Sequence, residues 1–191
     1  MYWQDEGYLL SKHNFDENSI IIEAFTLDHG KYSGIVYGGN SKKQKRNFQV
    51  GNKILLDWKS KNQNRTGYFT VELINPISPF FFDDKKKSVC ILSATSILKI
   101  LLPERQINKN VYISFENMLA NLTADNWIKS YINWELSLIK ELGFETELKD
   151  NHKYDTKKAL NVNKNLLIQN FILPNKLKFP LSRNILESYY S

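Results

Sequence analysis

The chain has 191 residues, 42% of them hydrophobic, with a formal net charge of +6. That supports a real core rather than disorder, and the longest apolar runs, such as Ser96 to Leu102, are far too short for a membrane span. Met1 to Gly7 shows neither the basic flank nor the apolar stretch of a secretion signal, and the lone Cys90 excludes an internal disulfide and a thiolate zinc cluster. The expectation is a cytoplasmic protein with no membrane segment and no structural metal.

Residues 1–75 read as strands. Gly7 to His13 is a short apolar run, and Ser19 to Leu27 carries Ile20, Ile21, Ile22 and Phe25. Asp28-His29-Gly30 is a turn signal, and Lys31 to Tyr37 makes a third strand. Lys53 to Lys59 alternates, with Ile54, Leu56 and Trp58 on one face and Lys53, Asp57 and Lys59 on the other. After the turn signal Asn62-Gln63-Asn64, Tyr68 to Ile74 alternates again, setting Phe69, Val71 and Leu73 against Thr70 and Glu72. Five short strands with polar turns predict a small closed barrel, a pattern that an SH3-like barrel shares.

At Asn75-Pro76-Ile77-Ser78-Pro79 the pattern breaks and the period changes. Asp84 to Leu102 reads as a helix with apolar positions Cys90, Ala94, Ile97 and Leu101, ended by Pro103. Asp83-Asp84 fits as favourable charge at its N-terminus. Val111, Phe115, Met118 and Leu122 mark a second helix. Trp127, Tyr131, Trp134, Leu138 and Leu142 mark a third, closed by Gly143 and preceded by N-cap candidates Thr123 and Asp125. Residues 149–165, rich in Lys, Asn and Asp, read as a loop, and Leu166 to Leu173 and Ser182 to Tyr190 return to the helical core. The reading is therefore α+β: a barrel domain over 1–77 and an all-α domain over 78–191.

The charge is concentrated. Residues 31–65 hold nine basic side chains (Lys31, Lys42, Lys43, Lys45, Arg46, Lys53, Lys59, Lys61 and Arg65) against the single acid Asp57. Four of the nine lie in Gly38-Gly39-Asn40-Ser41-Lys42-Lys43-Gln44-Lys45-Arg46. Such a local basic face is what a phosphate backbone requires; a solvated Lys-rich loop is the plainer alternative. Tyr37 and Phe48 flank the block and are the candidate stacking rings, whereas Trp58, alternating with Ile54 and Leu56, belongs to the core. Base–aromatic stacking contributes about 1–3 kcal/mol per base, and nothing here reads base edges, so binding would be sequence-independent. His13, His29 and His152 have no ligand-spaced partners, no GxSxG elbow is present, and Gly38-Gly39 precedes no GKS or GKT. No enzyme, metal or cofactor is indicated.

The ordered motifs carry a resemblance. Glu17-Asn-Ser-Ile-Ile, Phe25-Thr-Leu-Asp-His-Gly-Lys-Tyr and Gly34-Ile-Val-Tyr-Gly-Gly-Asn-Ser-Lys-Lys come first, followed by Gln49-Val-Gly-Asn and Gly67-Tyr-Phe-Thr-Val-Glu. Leu102-Pro-Glu-Arg and Trp134-Glu-Leu-Ser-Leu-Ile-Lys-Glu-Leu-Gly-Phe-Glu-Thr-Glu-Leu complete the set. Over about residues 3–148 this resembles RecO, the bacterial DNA repair and recombination mediator family, in a short form without its four zinc-binding cysteines. Asp16 stands where the family usually has Gly, so that turn is expected to differ. The Ser-Pro-Lys-Ser-Gly-like segment that most members carry is missing, and Ser182-Arg-Asn-Ile-Leu-Glu-Ser-Tyr-Tyr looks like the family's late Phe-Leu-Glu helix.

The resemblance implies an OB-fold barrel followed by a helical domain. It also implies binding to single- and double-stranded DNA, annealing of complementary strands, and action with RecR to load RecA, in the cytoplasm at the nucleoid. DNA contacts would fall on Lys42, Lys43, Lys45 and Arg46, with Lys31, Lys53, Lys59, Lys61 and Arg65 widening the field and Gly38 and Gly39 turning the loop. Docking of the acidic C-terminal tail of single-stranded DNA-binding protein is implied too, with Arg105, Lys129 and Lys140 as candidate rim cations. An OB-fold RNA-binding or assembly adaptor without annealing activity is the alternative, and a protein-binding helical scaffold a third reading.

Overall fold

A computed structural model describes residues 1–41, 44, 47–61, 66–144 and 155–190. Five strands, β1 (Tyr2–Asn14), β2 (Ile20–Thr26), β3 (Gly30–Val36), β4 (Lys53–Lys59) and β5 (Gly67–Asn75), close into a barrel of order β1-β2-β3-β5-β4. All neighbours are antiparallel except β3 and β5, and β4 returns to β1. This is the closed barrel that the strand pattern predicts, in the OB-like arrangement that the resemblance implies. β1 starts five residues earlier than its apolar run, because Tyr2, Gln4 and Glu6 alternate outward while Trp3, Asp5 and Gly7 point in and are at least partly buried.

The interior follows from that alternation. Leu9, Ile22, Ala24, Ile54, Leu56, Trp58 and Phe69 are buried in one cluster, with Trp3 and Tyr32 packed against it. Trp3 lies parallel to Trp58 with centroids 5.6 Å apart and meets Tyr32 and Phe69 edge-on, an arrangement aromatic quadrupoles favour. A bulge between Leu9 and Ser11 lets consecutive Leu9 and Leu10 both be buried, which simple alternation does not allow.

The helix α1 (Lys85–Leu101) begins on Asp84, whose carboxylate accepts the Lys87 N–H at 3.1 Å, as the sequence suggests. It packs along β1, and Tyr8 and Phe25 on the outer barrel face are buried. Two compact units result, Met1–Asn108 and Lys109–Ser191. The expected division at 77/78 followed the change of period; by compactness α1 stands with the barrel. Lys31 Nζ donates to the Lys99 carbonyl at 2.6 Å, and Lys99 Nζ pairs with Glu23 at 2.8 Å.

The second unit comprises α2 (Lys109–Ala120), α3 (Trp127–Glu141), α4 (Thr156–Leu167) and α5 (Leu181–Ser188). The expected caps Thr123 and Asp125 do not cap α3. Asn126 takes that place without a side-chain bond, while Asn121–Thr123 forms a 3-10 turn. The expected loop at 149–165 is corrected from 156 onward. Asp155 caps α4 by accepting the Lys158 N–H at 2.7 Å, and a π turn at Ile168–Ile172 continues it. At the centre, fully buried Glu135 on α3 accepts from Arg183 Nε at 2.6 Å, the Tyr131 hydroxyl at 2.6 Å and Asn163 Nδ2 at 3.2 Å.

Candidate nucleic-acid interface

The connection from β3 to β4 carries the basic block. Lys42, Lys43, Lys45 and Arg46 lie outside the described residues, but both stems are defined. At the first stem Gly38 has φ +72°, a region that L side chains rarely adopt, and a Cβ on Gly39 would lie 2.6 Å from Ile20 Cγ1. Gly38 thus sits at a left-handed backbone position, and Gly39 lies close against Ile20 of β2. Asn40 then ties the stem to the β1–β2 turn: its amide nitrogen donates to the Asp16 carbonyl at 3.1 Å, and its N–H to Asn18 O at 3.3 Å. That turn is organised by Asp16 itself, whose Oδ1 accepts the N–H groups of Asn18 at 2.8 Å and Ser19 at 2.6 Å. The Asn18 N–H bond holds the Asp16 carboxyl below its ordinary range.

The second stem is held by Asn52, which is fully buried. Its Oδ1 accepts the Ser78 N–H at 3.1 Å, and its Nδ2 donates to the Asn47 carbonyl at 3.3 Å. The Ser78 hydroxyl in turn donates to the Val50 carbonyl. Between the stems lies a cleft of about 500 Å³ lined by Lys12, His13, Gly39, Asn40, Phe48 and Gln49. Phe48 was expected as an exposed stacking ring. It is 1% exposed and part of the barrel core, so that reading is corrected. The ring directly follows a charged run, but the chain turns back into the barrel there.

Strand register gathers the remaining candidates. Lys59 on β4 is directly opposite Tyr2 on β1 and Tyr68 on β5, and Tyr68 is opposite Ile35 on β3. Trp3, Trp58 and Phe69 point inward, so their neighbours Tyr2, Lys59 and Tyr68 point out. Tyr37, two residues beyond Ile35, reaches the same face, with its ring centroid 6.1 Å from that of Tyr68. Tyr37 is 68% exposed, Tyr2 61% and Tyr68 42%. Lys59 Nζ lies 5.4 Å over the Tyr2 ring, and exposed Lys61 follows at the end of β4. Tyr37 was anticipated as exposed. Tyr2 and Tyr68 were missed, although Tyr68 alternates with core Phe69 and the sequence carries that signal.

The other predicted cations differ in environment. Lys31 is 8% exposed and donates to the α1 backbone, so it is not available to a phosphate. Burial lowers its ammonium pKa, partly opposed by Glu23 and Glu104. Beside it, burial pushes the Glu23 carboxyl up, but hydrogen bonds from Lys99 and Ser11 outweigh this and hold it below the ordinary range. Lys53 pairs with Glu6 at 3.1 Å. Arg65 lies outside the described residues. Arg105, in the first unit, has its guanidinium 5.4 Å over Tyr32 and its N–H on the Lys31 carbonyl. Lys129 and Lys140 are exposed on α3, on one helix side about 16 Å apart along the axis.

Among the described residues, no three His, Cys, Asp or Glu stand close enough to share a metal ion, and no helix is long and apolar enough to cross a membrane. Cys90 is buried, and His29 meets Asp5 Oδ2 through Nδ1 at 2.9 Å while stacking on Trp3.

Two family models match this chain. "Recombination protein O N terminal" covers residues 1–77, and "Recombination protein O C terminal" covers 83–162. Curated relatives include the DNA repair protein RecO of Wolbachia sp. subsp. Drosophila simulans, 33% identical over 78% of this chain and 62% of its own length. The DNA repair protein RecO of Roseobacter denitrificans is 32% identical over the same shares. That of Wolbachia pipientis subsp. Culex pipiens is 34% identical over 78% of this chain and 61% of its own. The chain thus aligns with less than two thirds of these relatives' length.

Proposed function

The chain belongs to the Recombination protein O family, and from that premise we propose that it is a DNA-binding mediator of repair and recombination. In this reading it binds single and double strands, anneals complementary strands, and works with RecR to load RecA onto DNA coated by single-stranded DNA-binding protein. The observation that carries it is the concentration of positive charge at 31–65, set on a barrel whose basic connection is tied down at both stems. Two strands of like charge repel. A basic surface that holds one or both lowers that repulsion within a Debye length of about 8–10 Å at moderate salt, without nucleotide hydrolysis. Lys42, Lys43, Lys45 and Arg46 would hold phosphates, and Lys59 and Lys61 would extend the field.

Charge reversal tests this reading. Replacing Lys42, Lys43, Lys45 and Arg46 by Glu abolishes binding and annealing at moderate salt. Neutral replacements reduce the slope of log affinity against log salt by about 3 to 4 on duplex DNA. Unchanged fluorescence anisotropy titrations would remove these residues from the interface. Running the same titrations on RNA separates a mediator from an RNA-binding adaptor, since a preference for RNA supports the latter. Annealing on DNA precoated with single-stranded DNA-binding protein, with and without its acidic tail, tests tail docking, for which Arg105, Lys129 and Lys140 are the candidate cations.

A further inference from the structure

The outer barrel face is graded. Its first row is Tyr2, Lys59, Tyr68 and Ile35; the next outward row is Gln4, Asp57 and Thr70; the third is Glu6, Leu55 and Glu72. The face thus passes from aromatic and basic to acidic within a few residues. Asp57, the acid nearest the first row, accepts the Tyr2 hydroxyl at 2.7 Å and Gln4 Nε2 at 3.0 Å, which occupy one of its oxygens. Glu72 in the third row repels a polyanion, Glu6 there being paired with Lys53, and the first row attracts it. It would therefore run across the strands, along the tyrosines, toward the connection that Tyr37 opens. Three strand spacings of about 4.8 Å give this row a length of roughly 14 Å, room for a few nucleotides.

We propose that Tyr37 and Tyr68, with Lys59 and Tyr2 beside them, form a stacking platform for the unpaired bases of a single strand. This rests on the DNA-binding reading and adds to it a site with a preference. In a duplex the base faces are already stacked on one another and closed to a side chain. Phosphate contacts to the basic connection serve both forms, whereas the tyrosine rings serve only the single strand. The two rings are tilted 52° to each other, and their exposure leaves ring face open to a base. Lys59, held between Tyr2 and Tyr68 in register, is placed to meet the backbone of the same nucleotides.

The test compares the full chain with Tyr37→Leu/Tyr68→Leu and with Tyr37→Phe/Tyr68→Phe. The probes are an oligothymidylate, an abasic strand of equal phosphate count and a blunt hairpin duplex, each followed by anisotropy across a salt series. The Leu variant loses about five- to tenfold in oligothymidylate affinity per ring removed, with the salt slope and duplex affinity unchanged. The Phe variant keeps wild-type affinity, and the abasic strand binds wild type as weakly as oligothymidylate binds the Leu variant. If the Leu variant binds oligothymidylate as wild type does, or loses duplex affinity equally, the platform is overturned while the DNA-binding reading stands. If wild type binds none of the three probes, both are overturned. Both positions are exposed, and matching thermal melts of the variants confirm that folding is not the variable.

Discussion

Lys31 and Lys59 stand two strands apart in the barrel and differ in what each leaves for a phosphate. The first is spent on the α1 backbone; the second lies in the open beside two tyrosines. Lys31→Met accordingly leaves the salt dependence of DNA binding unchanged, whereas Lys59→Met lowers the slope by about 0.7 to 0.9, the share of one phosphate. Asn52 is a different kind of residue. Its loss strands the Ser78 N–H and the Asn47 carbonyl at the base of the basic connection, so Asn52→Ala costs about 1–3 kcal/mol in urea denaturation. Sequence reasoning placed Trp58 in the core and Tyr37 at the surface because alternation and a neighbouring turn reveal them. It placed Phe48 outside because the charged run before it hides the return of the chain into the barrel.

At the scale of elements, α4 shows why composition misleads. Its inward positions include Ala159, Leu160 and Leu167, but Asn163 interrupts the apolar stripe, so the segment reads as a polar loop. That asparagine is fully buried and donates to the Ile132 carbonyl at 2.9 Å and to Glu135, so the polar residue is a core residue. Arg183 brings α5 to the same carboxylate and also donates to the Leu160 carbonyl at 2.7 Å. Arg183→Met leaves a buried carboxylate without its cation and costs about 3–5 kcal/mol of unfolding free energy, while adding Glu135→Leu restores most of it. A double variant as unstable as the single one, measured by guanidinium melts, would show that packing rather than charge sets the cost. The strands and α1 to α3 were legible because their periods are regular. The caps of α3 were not, because two plausible capping residues precede one that makes no side-chain bond.

For the whole molecule, acidity and truncation are the informative perturbations. Glu23 has a folded-state pKa below its ordinary 4.5. Its contribution is therefore fully present above about that pH and lost as the pH falls through the lowered folded value. The first unit should melt at progressively lower temperature on acidification, and Glu23→Gln should flatten that dependence in calorimetric scans. Truncation asks where the barrel ends as a folding unit. A fragment of residues 1–108 retains Lys99 and Glu104, whereas one of residues 1–77 loses α1 and with it the Lys99 partners of Lys31 and Glu23. The longer fragment is expected to unfold cooperatively and the shorter one to melt broadly or aggregate, as circular dichroism would report.

The tyrosine row is drawn from separate strands and has no existence within any one of them. Because side chains alternate with a period of two, one residue inserted or deleted within the paired stretch of β1, β4 or β5 would turn a row member inward and a core residue out. Point substitutions can tune such a surface one side chain at a time, but a length change inside a strand erases it at a stroke. Change in length is better tolerated in the connections between strands than within them. Descendants of this barrel would therefore be expected to diverge in loop length while their strands keep count.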